Sequence, residues 1–513
     1  MMTIPHWIGG KEVPSSSGRT SPVYNPATGE QTGEVGLADT SEVDEAVATA
    51  KAAAVEWRES SLSKRTDIMF RFRELVDANR GEIAAALTAE HGKVLSDSMG
   101  EVARGLENIE FASGLSHLLK GEFSEQASTG VDVHSARQPL GVVAGITPFN
   151  FPAMVPLWMY PTAIACGNAF VLKPSEKDPS VTLVLARLFA EAGLPDGVFN
   201  IVQGDKTAVD RLLEHPDIAA VSFVGSTPIA KHIYATASAH GKRVQALGGA
   251  KNHMIVLPDA DLDAAADAAI SAAYGSAGER CMAVSVVVAV GDAGDRLVQA
   301  IDDRIDDVVV GDGTDPDSGM GPLITAEHRD RVAGYIEAGA AEGAEVVRDG
   351  QQGHPEEGFF LSPALLDRVT PEMSVYTDEI FGPVLSVVRS DTYDDAVALA
   401  NDNPWGNGTA IFTRSGGAAR RFQRDVTAGM VGINVPIPVP VASYSFGGWD
   451  ASLFGDLHIY GPDGIRFYTR TKVVTSRWPD PTPTPNAGVD PVHAATDAVE
   501  PGSGIDLGFP QNR

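Results

Sequence analysis

Hydrophobic positions follow a helical period in the part of the chain before residue 139. Residues 43–57 and 62–89 carry apolar side chains three and four positions apart, a spacing that draws one apolar stripe along an α-helix. A third stretch of this kind, residues 97–119, carries Arg104 on the same side as its apolar positions. The pattern therefore predicts a helical segment at the front of the molecule.

After residue 139 the pattern changes to short runs rich in β-branched residues, each followed by a helical stretch. The runs are LGVVAGI, NAFVLK, VFNIV, AAVSFV and HMIVL. Continuous apolar strands separated by amphipathic helices are typical of a parallel sheet that is covered on both faces. A second series spans residues 283–433, and strands return at residues 464–475. We therefore predict an α/β fold with two sheet units and a late β arm or edge strand.

Composition narrows the classes of partner. The 513 residues include 68 Asp and Glu against 39 Lys and Arg, which gives a net charge of −29. Such a chain lacks the basic footprint that nucleic acids and anionic lipids require, so we expect no nucleic acid as a partner. No apolar run approaches the roughly 20 residues that cross a bilayer, so we expect no membrane association either.

The chain ends and the cysteine content favour a cytoplasmic protein. The first residues lack a basic start followed by an apolar stretch, which is the pattern of a secretory signal. Two cysteines in the whole chain make no disulfide framework and favour a reducing compartment. Seven of the 33 prolines fall in residues 479–513, where the composition predicts a flexible tail.

Cys281 is the first candidate for chemistry. It lies in the motif GERCMAVS beside Arg280, and a neighbouring cation lowers the pKa of a thiol and raises its thiolate fraction. Cys166 lies among small and apolar residues and fits an inert core thiol. Because an inert position is the ordinary outcome for a single cysteine, the case for Cys281 depends on the motifs around it.

Polar motifs follow the predicted strands at their carboxyl ends, where open α/β sheets bind ligands. TPFNFP contains Asn150, an amide donor suited to an oxyanion, and KPSEKDPS contains Lys173 and Glu176, which can hold ribose hydroxyls. FVGST opens a helix whose amide groups can receive a pyrophosphate, and EIFGPV places Glu379 before a tight turn. Each motif by itself also fits an ordinary turn or helix start, and no GxGxxG follows these strands.

The order of these motifs is similar to that of the aldehyde dehydrogenase superfamily over residues 7–478: TPFNFP, KPSE, FVGST, LGGAKNH, GERC, EIFGPV and SFGG. Within it, GERCMA, GAKNH, NVPIPVPV with SYSFGG, and GIRFYTRTKVVTSRW resemble the CoA-acylating methylmalonate-semialdehyde dehydrogenases. The resemblance implies a Rossmann-like NAD domain, a catalytic α/β domain and a β oligomerisation arm that joins subunits in a homodimer or homotetramer. The implied bounds are 1–122 and 139–250 for the NAD domain, 251–440 for the catalytic domain, and 123–138 with 460–478 for the arm.

The resemblance also implies a role for each matching residue. Cys281 corresponds to the nucleophile and Asn150 to an oxyanion donor, and no metal is implied. Arg104 and Arg280 correspond to cations that bind a substrate carboxylate. An ordinary ion pair with Glu101 or Glu107 is the alternative for Arg104. The implied NAD contacts are Thr147, Phe149, Lys173, Glu176, Lys177, Ser226, Gly248 and Glu379.

Ala246 is the most informative departure from the superfamily pattern. Hydrolytic aldehyde dehydrogenases carry a glutamate before the LGG segment, where it activates water against the thioester, whereas a methyl group accepts no proton. A second departure, Ala230 in place of the last glycine of GSTxxG, adds only a methyl group. Ala246 therefore favours transfer of the acyl group to the thiol of coenzyme A.

The implied reaction is the NAD-dependent oxidation of methylmalonate or malonate semialdehyde to propanoyl-CoA or acetyl-CoA with loss of CO2, in valine or pyrimidine breakdown. CoA-acylating or hydrolytic oxidation of other short-chain aldehydes is the alternative, because one methyl group changes binding by only about 1 to 3 kcal/mol. Two other classes stay open: a cysteine hydrolase that pairs Cys281 with His253, and a non-enzymatic protein on the same fold. The expected partners are a small aldehyde, NAD and coenzyme A.

Overall fold

The computed structural model describes residues 2–478, so the segment 479–513 with its predicted flexible tail lies outside the described residues. Among the described helices, none combines the length and apolar character that a membrane crossing needs. The helices are α1 (Thr40–Trp57), α2 (Leu62–Ala78), α3 (Arg80–His91), α4 (Leu95–Ser113), α5 (Leu115–Leu118), α6 (Met154–Ala165), α7 (Ser180–Glu191), α8 (Lys206–Glu214), α9 (Thr227–Ala239), α10 (Leu262–Tyr274), α11 (Gly294–Ile305), α12 (Ala326–Glu342), α13 (Ser374–Thr377), α14 (Tyr393–Asn401), α15 (Gly416–Asp425) and α16 (Gly461–Tyr468).

The described strands build two large sheets and several small ones. They are β1 (Met2–Ile4), β2 (His6–Ile8), β3 (Lys11–Val13), β4 (Thr20–Asn25), β5 (Glu30–Gly36), β6 (Phe123–Ser128), β7 (Val131–Pro139), β8 (Val142–Ile146), β9 (Ala169–Lys173), β10 (Phe199–Ile201), β11 (Ile218–Val224), β12 (Arg243–Leu247), β13 (Asn252–Val256), β14 (Val284–Val290), β15 (Glu345–Arg348), β16 (Ala364–Asp367), β17 (Val384–Ser390), β18 (Trp405–Gly406), β19 (Gly408–Phe412), β20 (Met430–Ile433), β21 (Trp449–Asp450), β22 (Leu453–Phe454) and β23 (Thr469–Arg477).

The front helices agree with the predicted period except at two breaks, at Asn79 and at Gly114, where the stretch predicted over 97–119 divides into α4 and α5. Helix α1 begins with a capping box, in which the Asp39 carboxylate accepts the Glu42 backbone N–H and the Glu42 carboxylate accepts the Asp39 N–H. The single helix expected over 62–89 is two helices, because Asn79 leaves the helical conformation and donates its side-chain N–H to the Leu75 carbonyl at 2.7 Å. Helices α2 and α3 pack against α4, and α4 packs against α6.

The first large sheet has the order β22-β12-β11-β8-β9-β10-β2-β3, with β12 through β10 parallel. Neighbouring residues of one strand enter different cores: Val143 and Ala144 lie in two separate buried clusters, so helices cover both faces. Strand β12 was not among the predicted runs, because Arg243 and Gln245 interrupt its apolar pattern. The predicted run HMIVL forms β13, which belongs to the second sheet and not to the first series.

The second large sheet has the order β15-β16-β17-β14-β13-β19-β20, parallel except at β15. These two sheets confirm the predicted α/β class. In the first sheet the carboxyl ends lie in register, with Ile146 beside Lys173 and Val224 beside Leu247. Residues that follow these strands are therefore neighbours in space.

A third, antiparallel sheet is formed by β6, β7 and β23. The strand expected from residue 464 begins only at Thr469, because the residues in front of it form helix α16. Pro462 occupies the first turn of that helix, and Ile465 and Tyr468 are buried at helical spacing. Val473 on β23 is 63% exposed, so this sheet keeps an uncovered apolar position.

Candidate active site

A cavity of about 260 Å³ lies at Cys281, walled by α4, α6 and residues 437–446. Its polar lining includes Cys281, Arg104 and Arg280. Its apolar wall consists of Phe151, Met154, Trp158, Met282, Ile437, Val439 and Phe446. The cavity therefore offers one thiol and two guanidinium groups to a small molecule, and Lys93 also lies in its wall.

The loop in front of Cys281 has an uncommon backbone conformation. Ser276, Ala277 and Gly278 all adopt positive φ, at +52°, +51° and +72°. A Cβ atom at Gly278 would lie 2.2 Å from the carbonyl oxygen of Gly382, so only glycine fits at that position. Two left-handed non-glycine residues in succession are costly and occur where a loop is held by its surroundings.

The Cys281 thiol is less acidic than the sequence suggests. Burial, and after it the charge of Glu379, raise its pKa to about 12, and the opposing charge of Arg280 does not offset them. Arg280 is itself paired, because the Asp97 carboxylate accepts its Nη2–H at 2.8 Å and the Ser276 backbone N–H at 3.0 Å. The expectation that Arg280 gives Cys281 a low pKa is therefore wrong.

Two asparagines fix the backbone of Cys281. The Nδ2 groups of Asn252 and Asn407 each donate to the Cys281 carbonyl oxygen at 3.0 Å. Asn252 begins β13 and Asn407 lies between β18 and β19. The candidate nucleophile is therefore tied to the second large sheet, while its loop is tied to α4 through Asp97.

Asn150 lies against the same loop. Its side-chain N–H donates to the Glu279 carbonyl oxygen at 3.0 Å, two residues before Cys281. The backbone carbonyl of Asn150 accepts an N–H from Lys93 Nζ at 2.6 Å, and only 3% of the residue is exposed. An amide NH2 group carries two N–H donors, so the second N–H of Asn150 has no acceptor among the described hydrogen bonds.

Arg104 forms the ion pair that was the alternative for it, and its binding of a substrate carboxylate stays a prediction. Its Nη1 group donates to the two carboxylate oxygens of Glu107 at 2.9 and 3.0 Å, and Nη2 donates to the Val439 carbonyl at 3.3 Å. Glu101, the other carboxylate considered, turns inward to Lys93. Arg104 also lines the cavity, so its ion pair lies at the wall of the site.

Several of the predicted dinucleotide contacts gather at the carboxyl edge of the first large sheet. Thr147, Lys173, Ser226 and Gly248 lie at or just beyond the ends of β8, β9, β11 and β12. The Thr147 N–H donates to the Lys173 carbonyl at 3.1 Å, while the Thr147 hydroxyl is buried without a hydrogen-bond partner among the described residues. A buried hydroxyl of this kind fits a polar ligand.

Lys173 and Glu176 form a pair at this edge. Lys173 Nζ donates to Glu176 Oε2 at 3.2 Å and to the Gly204 carbonyl at 3.0 Å. Burial raises the pKa of Glu176, but the charges of Lys173 and Lys177 and the hydrogen bonds to the carboxylate together outweigh burial, so the pKa lies below its usual value. The ionised carboxylate can accept hydrogen bonds from two ribose hydroxyls and repels a 2′-phosphate.

Phe149 and Lys177 contact each other. Lys177 Nζ lies 4.7 Å from the centre of the Phe149 ring, which also meets Phe381 and His328 at 5.9 and 6.3 Å between ring centres. The Phe149 side chain is thus committed to packing, and these contacts link the loop of Asn150 to the EIFGPV turn.

Ser226 and Glu379 lie near the two ends of the LGGAK segment. Ser226 is the N-cap residue of α9 and its side chain makes no capping hydrogen bond, so the first-turn amide groups suit a pyrophosphate. The Glu379 carboxylate accepts the Ala250 N–H at 2.9 Å, and burial raises its pKa to about 6. Glu379 and Cys281 also line one small cavity of about 20 Å³. Together with the orphan Thr147 hydroxyl, these residues fit a dinucleotide.

Comparison with known proteins agrees with this geometry. The model of the aldehyde dehydrogenase family matches residues 13–474. The chain belongs to this family. It is 56% identical to a malonate-semialdehyde dehydrogenase of Pseudomonas aeruginosa, over 93% of this chain and 97% of that protein. The motif order thus identified the family correctly, and the protein is an aldehyde dehydrogenase.

Solved structures of other aldehyde dehydrogenases superpose closely. A methylmalonate-semialdehyde dehydrogenase of Oceanimonas doudoroffii is 56% identical, with a TM-score of 0.92 over 94% of this chain and 99% of that one. A Sinorhizobium meliloti protein described by the same activity and complexed with NAD is 52% identical, with a TM-score of 0.93 over 94% and 99% of the two chains.

The proposed hydrolase dyad has no support in this aldehyde dehydrogenase. The two ring nitrogens of His253 bond to the Lys251 carbonyl at 2.8 Å and to the Tyr376 hydroxyl at 3.0 Å. Burial lowers the pKa of His253 to about 4, so the ring is neutral and fully engaged. No contact joins it to Cys281 among the described hydrogen bonds.

Sequence reasoning missed the residues that hold the site in place. Their hydrogen bonds fix the loops of Cys281 and Asn150, and they are Asp97, Asn407, Lys93 and Glu101. Glu279 is fully buried, with its pKa raised to about 8 by burial, so its carboxyl group is neutral. One sequence signal could have revealed Glu101. It is a charged residue on the buried side of α4, next to the buried Val102.

Proposed function

We propose that this enzyme oxidises malonate semialdehyde and methylmalonate semialdehyde with NAD and transfers the acyl group to coenzyme A with loss of CO2. The observation that carries the proposal is one cavity of about 260 Å³ that contains Cys281 together with Arg104 and Arg280. Both substrates combine an aldehyde with a carboxylate, which matches a thiol beside two guanidinium groups. The names of the relatives described above support the same substrates.

In the first step the Cys281 thiol gives its proton to water. The thiolate then attacks the aldehyde carbon, which forms a C–S bond and places a negative charge on the former carbonyl oxygen. The free N–H of Asn150 donates to that oxygen, because the amide is held against the loop of Cys281 by its bond to the Glu279 carbonyl. Arg104 and Arg280 hold the substrate carboxylate at the cavity wall.

NAD bound at the edge of the first large sheet would supply the acceptor for the hydride that leaves the substrate carbon. Lys173, Glu176 and Ser226 would hold its adenosine ribose and pyrophosphate. The other residues assigned to it are Thr147, Phe149, Lys177, Gly248 and Glu379. We also propose the NAD domain, the catalytic domain and the oligomerisation arm with the bounds that the resemblance implies.

The thioester on Cys281 carries the substrate carboxylate one carbon away from its carbonyl. Loss of CO2 leaves the electron pair on the thioester as an enolate, which the Asn150 donor stabilises before a proton is added to carbon. Ala246 is buried on β12 and offers no base for water, so the thiol of coenzyme A takes the acyl group and frees Cys281.

The test is NADH formation from malonate semialdehyde, methylmalonate semialdehyde and propanal, with and without coenzyme A, with the products identified by mass spectrometry. We expect acetyl-CoA or propanoyl-CoA from the semialdehydes and little free acid without coenzyme A. Equal amounts of free acid in both conditions would contradict the acyl transfer.

One observation favours the alternative substrates, simple short-chain aldehydes. Arg104 is bonded to both oxygens of Glu107, and Arg280 is bonded to Asp97, so each cation already has a carboxylate partner. A site with paired arginines attracts a substrate carboxylate less strongly than one with free arginines. A kcat/KM for propanal equal to that for malonate semialdehyde would support this alternative.

A further inference from the structure

A buried ion pair lies behind Asn150. Lys93 follows α3 and Glu101 lies on α4, and their side chains meet at 2.7 Å between Nζ and Oε2. Each residue is 1% exposed. Because a pair of buried charges recovers little more than its desolvation cost, such a pair is weak evidence for stability and invites a search for a specific role.

The ammonium group of Lys93 makes two described hydrogen bonds and one ring contact. One N–H donates to Glu101, a second donates to the Asn150 carbonyl at 2.6 Å, and the group lies 4.5 Å from the centre of the Phe151 ring. Lys93 lines the substrate cavity, and two of its three N–H donors are committed to Glu101 and to the Asn150 backbone carbonyl. Unlike Arg104, Lys93 therefore bonds to the backbone of the segment that carries Asn150.

Glu101 holds the other end of the same segment. Its Oε1 atom accepts the backbone N–H of Ala153 at 2.8 Å and of Met154 at 3.0 Å. These residues are the N-cap and first residue of α6, where a negative charge is favourable. Since Oε2 accepts from Lys93, both carboxylate oxygens are used.

We propose that the Lys93–Glu101 pair positions Asn150 for the oxidation step, so that both are positioning residues of this aldehyde dehydrogenase. The pair hydrogen-bonds to both ends of the segment 150–154, at the backbone carbonyl of residue 150 and at the backbone N–H groups of residues 153 and 154. The same segment supplies the oxyanion donor and two cavity walls, Phe151 and Met154. The inference rests on the role proposed above for Asn150.

The geometry explains why a small shift would matter. The side chain of Asn150 is held by one described hydrogen bond, to the Glu279 carbonyl, so its direction depends on where its backbone lies. A displacement of about 1 Å in a catalytic group is enough to cost about 100-fold in rate. Releasing Lys93 from the Asn150 carbonyl would permit such a displacement.

The test variant is Lys93→Met/Glu101→Gln, which removes both charges together and leaves no buried charge unpaired. Glu101→Gln is avoided as a single change because Lys93 would then keep its charge without a partner. The side-chain oxygen of glutamine still accepts the amide groups of α6, so the change is concentrated on the bond to Asn150. The matched control is Asp367→Asn/Arg389→Met, which removes an ion pair of 2.6 Å from the second large sheet, outside the cavity lining.

The measurement is the single-turnover burst of NADH with propanal and NAD in the absence of coenzyme A. Propanal has no carboxylate, so the arginine contacts do not enter. We expect Asn150→Ala to slow the burst by about 100-fold and the Lys93→Met/Glu101→Gln variant to slow it by at least about tenfold. Adding Asn150→Ala to that variant should slow it no further than Asn150→Ala alone, because all three residues act through one donor.

Iodoacetamide labelling of Cys281 and the melting temperature complete the comparison. We expect both to match the control variant, since neither depends on the direction of the Asn150 amide. The inference is overturned if the Lys93→Met/Glu101→Gln burst is as fast as wild type, if the control slows equally, or if the effects of the pair and of Asn150→Ala multiply. If the Asn150→Ala burst is as fast as that of the wild type, the proposed role of Asn150 is wrong and the inference is overturned with it.

Discussion

The two cysteines lie in regions that are alike in electrostatics and different in access. Burial raises the pKa of both thiols to about 12, and each has an arginine whose opposing charge does not offset that effect, Arg65 for Cys166 and Arg280 for Cys281. Cys166 is 2% exposed at the end of α6, whereas Cys281 is only partly buried and lines a cavity of about 260 Å³. A cation beside a thiol therefore does not identify the nucleophile in this protein.

The difference lies in what surrounds each thiol. Arg65 donates to backbone carbonyls, including that of Arg58 at 2.8 Å, and so closes the end of a helix within the core. The carbonyl of Cys281 instead accepts two asparagine side chains, and an amide donor lies against its loop. Access and fixed donors, not acidity, distinguish the region of Cys281 from that of Cys166.

The largest effect should come from replacing each of the two cysteines with alanine in turn. Cys281→Ala should lower NADH formation by about four orders of magnitude or more, because the covalent step is lost. Cys166→Ala should leave kcat within about twofold and cost ~1 kcal/mol of stability, as an ordinary core substitution does. Steady-state NADH formation and thermal unfolding measure both. NADH formation that survives in Cys281→Ala would remove the functional difference between the regions.

The arginines near the two thiols provide the next comparison. Arg104→Leu should lower kcat/KM for malonate semialdehyde about 10- to 100-fold more than for propanal, the value of a charge-assisted hydrogen bond. Arg65→Lys, beside the other thiol, should leave that ratio unchanged. Equal losses for the two aldehydes in Arg104→Leu would show that Arg104 binds no substrate carboxylate and serves only its pair with Glu107.

Part of the candidate site was predictable from the sequence, where a polar motif lies at the end of a predicted strand. Thr147 and Lys173 follow apolar strands, and parallel neighbours bring the ends of such strands together, so their meeting was predictable. The behaviour of Arg280 was not predictable, because its partner Asp97 lies on α4, far away in the chain.

Long-range packing also hid several fold elements. Strand β12 has two long polar residues. The side-chain N–H of Gln245 donates to the Leu457 carbonyl, which lies far away in the sequence, so no local pattern could predict this bond. The Lys93–Glu101 pair depends on how α4 packs against α6, so its bonds to residues 150–154 became visible only in three dimensions.

A smaller effect should come from Ala246, the position where the resemblance implies a glutamate in hydrolytic aldehyde dehydrogenases. Ala246→Glu should raise the release of free acid without coenzyme A about tenfold, because a carboxylate can take a proton from water. Ala246→Gln is the control of similar size, and both variants should lose stability because the position is fully buried. No more acid from the glutamate variant than from the glutamine variant would mean that a missing base does not limit water attack.

The smallest effect concerns the acidity that the two thiols share. With a pKa near 12, the thiolate fraction of Cys281 rises about tenfold per pH unit between pH 7 and 9, so iodoacetamide labelling of the free enzyme should rise equally. The pKa of Glu379 is about 6, so above that pH its negative charge opposes the thiolate. Glu379→Gln removes this charge, lowers the thiol pKa and should speed labelling a few-fold at pH 8. Below pH 5 the wild-type carboxyl is protonated, so the two rates should converge there. Slower labelling of Glu379→Gln at pH 8 would contradict the electrostatic account and point to Glu379 as a proton acceptor for Cys281, while Cys166 should stay unlabelled in both.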